Sequence, residues 1–157
     1  MDSTQPKWRF YLLAGLFILV LGISFFLTRL DQAAATPSPI SGLNSLREMA
    51  QQSVPYESAL NNGKPTLVEF YADWCTSCQS LAPSLAKFHD QYGSQINFVM
   101  LNVDDPQWRQ QMQQYHVVGV PQFFFMRSDH RVIKTLVGGV PEAILAQLFE
   151  QLVNPTS

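Results

Sequence analysis

Cys75 and Cys78, spaced C-x-x-C, are the residues whose types and spacing point most directly to chemistry. The 157-residue chain has no further cysteine, so this pair cannot belong to the multiple-disulfide framework of a small secreted domain. It also cannot supply the four ligands of a structural zinc site, because His89, His116 and His130 are scattered along the sequence. A redox-active pair is therefore the leading interpretation, and we predict neither a metal nor a cofactor.

The segments that flank the pair indicate how it would be activated. Thr66–Tyr71 (TLVEFY) has the composition of a buried strand, and Cys78–Tyr92 repeats leucine and phenylalanine at helical spacing. Cys75 is then expected at the helix N-terminus, where free N–H groups and the positive end of the helix dipole stabilise a thiolate. Cys78, one turn further along the same face, can attack a mixed disulfide.

Two other interpretations of the pair stay open. A permanent local disulfide would close a very short loop and so add little stability. A metal shared by the pairs of two copies of the chain is the second alternative.

The remaining hydrophobic pattern predicts an α/β fold. The other predicted elements are helices over Asn44–Gln52, Pro55–Asn61, Pro106–Tyr115 and Pro141–Val153 and strands over Ile96–Val103, Phe123–Met126 and Val132–Val137. Strand–helix–strand–helix followed by a hairpin and a helix gives a mixed central sheet with helices on both faces. Because a helix joins the first two strands, these are expected to be parallel.

An uncharged segment of 19 residues, Phe10–Thr28, lies near the start of the chain. At 1.5 Å per residue a helix of this length spans roughly 28 Å, close to the hydrocarbon thickness of a bilayer. Trp8 and Tyr11 lie where interfacial aromatic residues are common. The alternative is a signal peptide cleaved near Ala33–Ala35, but the apolar run is longer than such peptides usually have. We therefore predict one N-terminal transmembrane helix.

Charge and composition predict the organisation around this anchor. Lys7 and Arg9 precede the span and Arg29 follows it, which favours a cytoplasmic N-terminus and a C-terminal domain on the lumenal or periplasmic side. The predicted division is a tail over residues 1–9, an anchor over 10–28, a linker rich in Ala, Pro and Ser over 29–42, and a domain over 43–157. The net charge of −2, without a Lys/Arg cluster, argues against a nucleic-acid partner.

The segment YADWCTSCQSLAPSL resembles the active site of thioredoxins, in which Trp-Cys-x-x-Cys follows a buried strand. Pro83 matches the proline that the family has five residues beyond the second cysteine. Gly119-Val120-Pro121 resembles the segment at the family's cis-proline, and the resemblance covers about residues 56–153. The longer phrases EFYADWC and NFVMLNVDD are similar to TxlA-type membrane-anchored thiol:disulfide interchange proteins of photosynthetic membranes.

The resemblance implies a thioredoxin fold and a thiol:disulfide oxidoreductase that exchanges disulfides with client proteins through its two cysteines. It further implies that Trp74, Val120 and Pro121 bind the client, and that a membrane thiol carrier supplies electrons. Whether clients are reduced or oxidised stays open. The alternative is a thioredoxin-fold assembly factor or chaperone, for example in cytochrome maturation. We expect a monomer.

Three positions depart from the thioredoxin pattern. Glu69 stands where the family commonly has a buried Asp, Met100 replaces the accompanying lysine, and Thr76-Ser77 replaces Gly-Pro. A carboxylate in a buried strand acquires a raised pKa and can relay a proton to or from the second thiol. The alternative for Glu69 is a salt-bridged or partly exposed carboxylate. Asp73 is interpreted as a solvated charge.

Overall fold

The central sheet uses the most apolar segments of the chain. The computed structural model describes Leu19 and residues 39–154, and its strands are β1 (Thr66–Tyr71), β2 (Asn97–Asn102), β3 (Gln122–Met126) and β4 (Val132–Val137). Their order is β2-β1-β3-β4. β1 pairs parallel with β2 and antiparallel with β3, and β3 pairs antiparallel with β4. The predicted mixed sheet with parallel first strands is confirmed.

Helices cover both faces of this sheet. They are α1 (Pro39–Gln51), α2 (Tyr56–Asn61), α3 (Thr76–Tyr92), α4 (Arg109–Gln114) and α5 (Glu142–Val153), with a 3-10 helix at Pro106–Trp108. Side chains of α1, α3 and α5 fill the core on one face, which we call the cysteine-side core because it contains both cysteines. Side chains of α2 and α4 pack on the other face. The predicted helices on both faces are therefore confirmed.

Two helices differ from the prediction by more than two residues. α1 begins at Pro39 rather than at Asn44, so residues 39–42 of the predicted linker are helical. A proline fits the first turn of a helix, because the N–H that it lacks would have no intrahelical partner there. The helix predicted over Pro106–Tyr115 divides at Trp108, whose φ of −90° and ψ of 6° lie outside the α-helical range.

The predicted anchor Phe10–Thr28 lies outside the described residues, apart from Leu19. In the part of the chain that the structure describes, no helix is both long and apolar enough to cross a bilayer. The anchor and the division of the chain at residues 9, 28 and 42 stay predictions.

α1 packs closely against α3 behind the cysteines. At Gly42 the two backbones approach so closely that an added Cβ would lie 2.6 Å from the carbonyl oxygen of Gln79. Leu46 and Met49 of α1 are 0% and 3% exposed and belong to the cysteine-side core. A side chain at residue 42 would push the two helices apart, so the close packing of α1 against α3 requires glycine there.

Candidate active site

Cys75 occupies the N-cap of α3. The helix begins at Thr76, two residues before the predicted start, and the Cys75 Sγ accepts a hydrogen bond of 3.1 Å from the backbone N–H of Cys78. The two cysteines form a disulfide, with their Cα atoms 5.3 Å apart. An N-cap sulfur lies among N–H groups that have no partner within the helix. A thiolate at Cys75 would therefore be stabilised there, as the sequence predicted.

The surroundings of the two sulfurs differ. Cys75 is 6% exposed and Cys78 is 0% exposed. The preceding Trp74 is 63% exposed, and Thr76 and Ser77 are also at the surface. Cys75 therefore keeps a small exposed area beside these surface residues, whereas Cys78 is fully enclosed.

Two hydrogen bonds hold the turn between β1 and α3. The Gln79 side-chain amide donates to the Asp73 carbonyl oxygen at 2.6 Å. The Trp74 indole N–H donates to a carboxylate oxygen of Asp104 at 2.9 Å. Because its N–H is already bonded, Trp74 offers mainly its exposed apolar ring to a partner, which is compatible with the predicted docking role.

Glu69 lies in the middle of the sheet and points to the cysteine-side core. Its neighbours two residues away, Leu67 and Tyr71, belong to that core, and side chains alternate along a strand. On the adjacent strands it lies opposite Met100 and Phe123. The position that carries a lysine in thioredoxins is therefore beside Glu69, as the resemblance implied, and it is apolar here.

Burial without a partner changes the charge state of Glu69. The residue is 0% exposed, and neither carboxyl oxygen has a hydrogen-bond partner among the described residues. The alternative of a salt-bridged or partly exposed glutamate is therefore wrong. Because burial disfavours the carboxylate, it raises the pKa of Glu69 from 4.5 to about 8.

Val120 and Pro121 lie at the same end of the sheet as the cysteines. The Val120–Pro121 bond is cis. Phe70, near the end of β1, pairs with Gln122 of β3. Pro121 directly precedes Gln122, so it lies at the end of β1 from which the chain continues to Cys75. The Pro121 carbonyl oxygen accepts a hydrogen bond from the Gly138 N–H at 2.8 Å. Their role in binding clients stays a prediction.

Sequence reasoning missed two exposed apolar residues at this end. Val118 is 81% exposed and Val137 is 52% exposed, and an added Cβ on Gly119 would lie 3.8 Å from Val137 Cγ1. The proximity of Val118 to Val120 in the sequence was an available signal. The position of Val137 was not, because it depends on the pairing of β4 with β3.

The buried Glu69 carboxyl makes folding stability depend on pH. A raised pKa means that the native state keeps a proton that the unfolded chain releases, so Glu69 lowers stability as pH rises from 4.5 to about 8. Glu69→Gln removes this dependence. We expect the free energy of unfolding of the variant to gain on wild type by about 1.4 kcal/mol per pH unit between pH 5 and 7.

Urea unfolding of the oxidised protein at pH 5, 6 and 7 measures this gain. Glu57→Gln is the matched control, because Glu57 is exposed on α2. A difference between Glu69→Gln and wild type that stays constant over this pH range would contradict the assignment.

The chain is similar in sequence to known proteins. The profile of the family described as Thioredoxin matches residues 47–151. The chain is 46% identical over 109 residues to a thiol:disulfide interchange protein TxlA homolog of Synechocystis, covering 69% of this chain and 61% of that protein. It is 45% identical over 103 residues to a chloroplastic thioredoxin-like protein of Arabidopsis thaliana, covering 66% and 40%.

Another relative and a solved structure agree. TxlA of Synechococcus elongatus is 38% identical over 137 residues, which cover 87% of this chain and 71% of that protein. The crystal structure of Deadhead, a germline-specific thioredoxin of Drosophila melanogaster, matches with a TM-score of 0.54 and 26% identity over 62% of this chain and 87% of that chain. The chain thus spans only 61% and 40% of the Synechocystis and Arabidopsis relatives. The family match nevertheless covers residues 47–151, and the chain belongs to the thioredoxin family.

Proposed function

We propose that this protein is a thiol:disulfide oxidoreductase that exchanges disulfides with client proteins through Cys75 and Cys78. The observation that carries the proposal is the disulfide between an N-cap cysteine and a buried cysteine one turn further along α3. The relatives named thiol:disulfide interchange proteins support the same chemistry.

The exchange proceeds in two balanced steps when a client is reduced. The Cys75 thiolate attacks one sulfur of the client disulfide, forms an S–S bond with it and releases the other client sulfur as a thiolate. Cys78 then loses its proton and attacks the Cys75 Sγ. This forms the Cys75–Cys78 disulfide and releases the second client sulfur. Two electrons pass to the client, and the disulfide of the present structure is the product state.

Glu69 serves the buried thiol in this proposal. With a pKa of about 8 in the disulfide form, its carboxyl is mostly protonated at neutral pH. When a donor thiolate opens the disulfide at Cys75, the Cys78 sulfur leaves as a thiolate and takes the Glu69 proton. In the reverse direction the carboxylate takes the proton from Cys78, which allows that sulfur to attack.

The client surface extends from the nucleophile across the end of the sheet. Trp74 exposes its ring beside Cys75, and Val120 and Pro121 lie at the same end. Val118 and Val137 add exposed apolar area. Together they fit an apolar client segment that carries a cysteine or disulfide.

We further propose that Phe10–Thr28 anchors the domain in a membrane and that the domain acts on the lumenal or periplasmic side. The uncharged 19-residue run supports the anchor, and the basic residues before it support the orientation. A membrane thiol carrier would then supply electrons. The assembly-factor alternative requires no chemistry at the cysteines, so cysteine variants distinguish it.

Loss of either cysteine should abolish catalysis with different consequences. We expect Cys75→Ser to abolish the reduction of a model protein disulfide and to form no mixed disulfide. Cys78→Ser should also lose turnover but accumulate a Cys75–client adduct, because the resolving thiol is gone. Non-reducing electrophoresis and mass spectrometry measure the adduct. Full function of Cys75→Ser in cells, despite its lost turnover, would favour the assembly-factor alternative.

Glu69→Gln should slow the second step more than the first. An amide cannot accept the Cys78 proton, so we expect resolution of a preformed mixed disulfide near pH 7 to slow about tenfold or more. Attack by Cys75 on a client should change by no more than a few-fold. Stopped-flow measurement of both steps tests this, and equal slowing of the two steps would refute a role specific to Cys78.

The anchor predicts stable association with membranes. We expect the full-length chain to remain in the membrane fraction after an alkaline wash, because burial of a 19-residue apolar helix does not depend on charge. Fractionation followed by N-terminal sequencing is the measurement. A soluble form that begins near Thr36 would instead show cleavage after Ala33–Ala35.

A further inference from the structure

An ion pair connects α1 to the turn that carries the nucleophile. The Arg47 Nε donates to Asp73 Oδ2 at 2.9 Å, and the Arg47 Nη2 lies 2.8 Å from the same oxygen. The two residues are 26 positions apart in the sequence. Asp73 is therefore not simply a solvated charge, as the sequence interpretation had it.

The packing of α1 fixes where Arg47 lies. Gly42 contacts the backbone of Gln79, and Leu46, the residue before Arg47, is fully buried in the cysteine-side core. Gln79 in turn bonds the Asp73 carbonyl oxygen. Asp73 is thus held through its side chain by α1 and through its backbone by α3, two residues before Cys75.

The charges around Cys75 are mostly acidic. β1 contributes Glu69, which is neutral when protonated, and the hydroxyl of Tyr71. The loop after β2 contributes Asp104, which is bonded to Trp74, and Asp105, which caps the 3-10 helix.

Neither α3 nor α5 has an unpaired acidic residue in its first turn. The first turn of α3 has no acidic residue. Glu142, at the start of α5, is bonded to Ser84 and lies 4.0 Å from Lys87 of α3. Arg47 is thus the cation that the described structure pairs with the acidic turn before the nucleophile.

The pKa of Tyr71 shows that these charges oppose one another. It shares the cysteine-side core with Cys75. Burial raises the pKa of Tyr71, the negative charges of Asp73 and Glu69 raise it further, and the positive charge of Arg47 lowers it. Arg47 therefore counteracts Asp73 at a group close to the active site.

We propose that Arg47 is a positioning residue for the redox pair: it holds the Asp73 carboxylate and offsets the negative charge that would otherwise oppose a Cys75 thiolate. This inference rests on the proposed function, because it concerns the reactivity of the nucleophile of that reaction. Its physical basis is that a negative charge near a thiol favours the protonated form, and a paired cation cancels that effect.

Single and double variants test the proposal in the reduced full-length chain, in a Cys78→Ser background so that only Cys75 reacts. Arg47→Met leaves Asp73 unopposed, so the Cys75 pKa should rise and alkylation by iodoacetamide at pH 7 should slow about 2- to 5-fold. Asp73→Asn should act in the opposite direction by a similar factor. The double variant should lie close to the parent, because its pair is again neutral in sum.

Controls separate charge from structure. Arg131→Met removes the same charge from an ion pair with Asp129 in the β3–β4 turn, at the end of the sheet away from the cysteines, and should leave the alkylation rate of Cys75 unchanged. Arg47→Lys should restore most of the parent rate. The Arg47–Asp73 pair is exposed, so the effect of Arg47→Met should shrink at 1 M salt, where charges are screened beyond about 3 Å.

Opposite shifts for Arg47→Met and Asp73→Asn, cancelling in the double variant, would support the proposal. Shifts in the same direction, or no shift beyond that of Arg131→Met, would overturn it. If Arg47→Met does not fold, an unchanged Cys75 pH profile in Asp73→Asn overturns it alone. Alkylation needs no client, so its outcome is independent of whether the chain reduces disulfides. Failure here would leave the proposed function standing.

Discussion

The burial of β1 between two other strands is the constraint on which the site depends. All six residues of β1 are buried, and the chain leaves the sheet after Tyr71 to enter α3 at Cys75. The end of a rigid central strand therefore fixes where the nucleophile lies. The same pairing fixes Pro121, since β3 is in register with β1. A surface strand would fray at its end. The positions of the cysteine, its helix N-terminus and the opposing loop would then vary relative to one another.

Glu69 is the exception within that strand. An unpaired carboxyl between Met100 and Phe123 opposes folding once it ionises, and a pKa of about 8 against 4.5 corresponds to roughly 5 kcal/mol. A leucine would pack there without this penalty. Thr66, which is also polar and buried in this strand, is hydrogen-bonded, whereas Glu69 has no hydrogen-bond partner among the described residues. The proton relay proposed above would account for a glutamate at this position. A lysine in place of Met100 would stabilise the carboxylate, and its absence keeps the proton on Glu69.

Much of the fold was predictable from the sequence, because its signals are local. Runs such as TLVEFY predicted the buried strands, and the C-x-x-C before a helical repeat predicted the N-cap geometry. The start of α1 was predicted wrongly because proline is compatible both with a linker and with the first turn of a helix, where Pro39 lies. The register of Glu69 with Met100 followed only from the family resemblance. The pairing of Arg47 with Asp73 could not be predicted, because it depends on how α1 packs against α3.

The two carboxyl groups in the proposals above, Glu69 and Asp73, lie in different surroundings. Glu69 is fully buried, so the effect on Cys78 that we propose would be governed by burial and would persist at high ionic strength. Asp73 lies at the surface, so the effect on Cys75 that we propose would depend on the arginine that faces it and on the salt around it. Under the two proposals, the proton of Cys78 and the charge of Cys75 would therefore be controlled separately. A change in ionic strength should alter the attack on a client while leaving resolution of the mixed disulfide nearly unchanged.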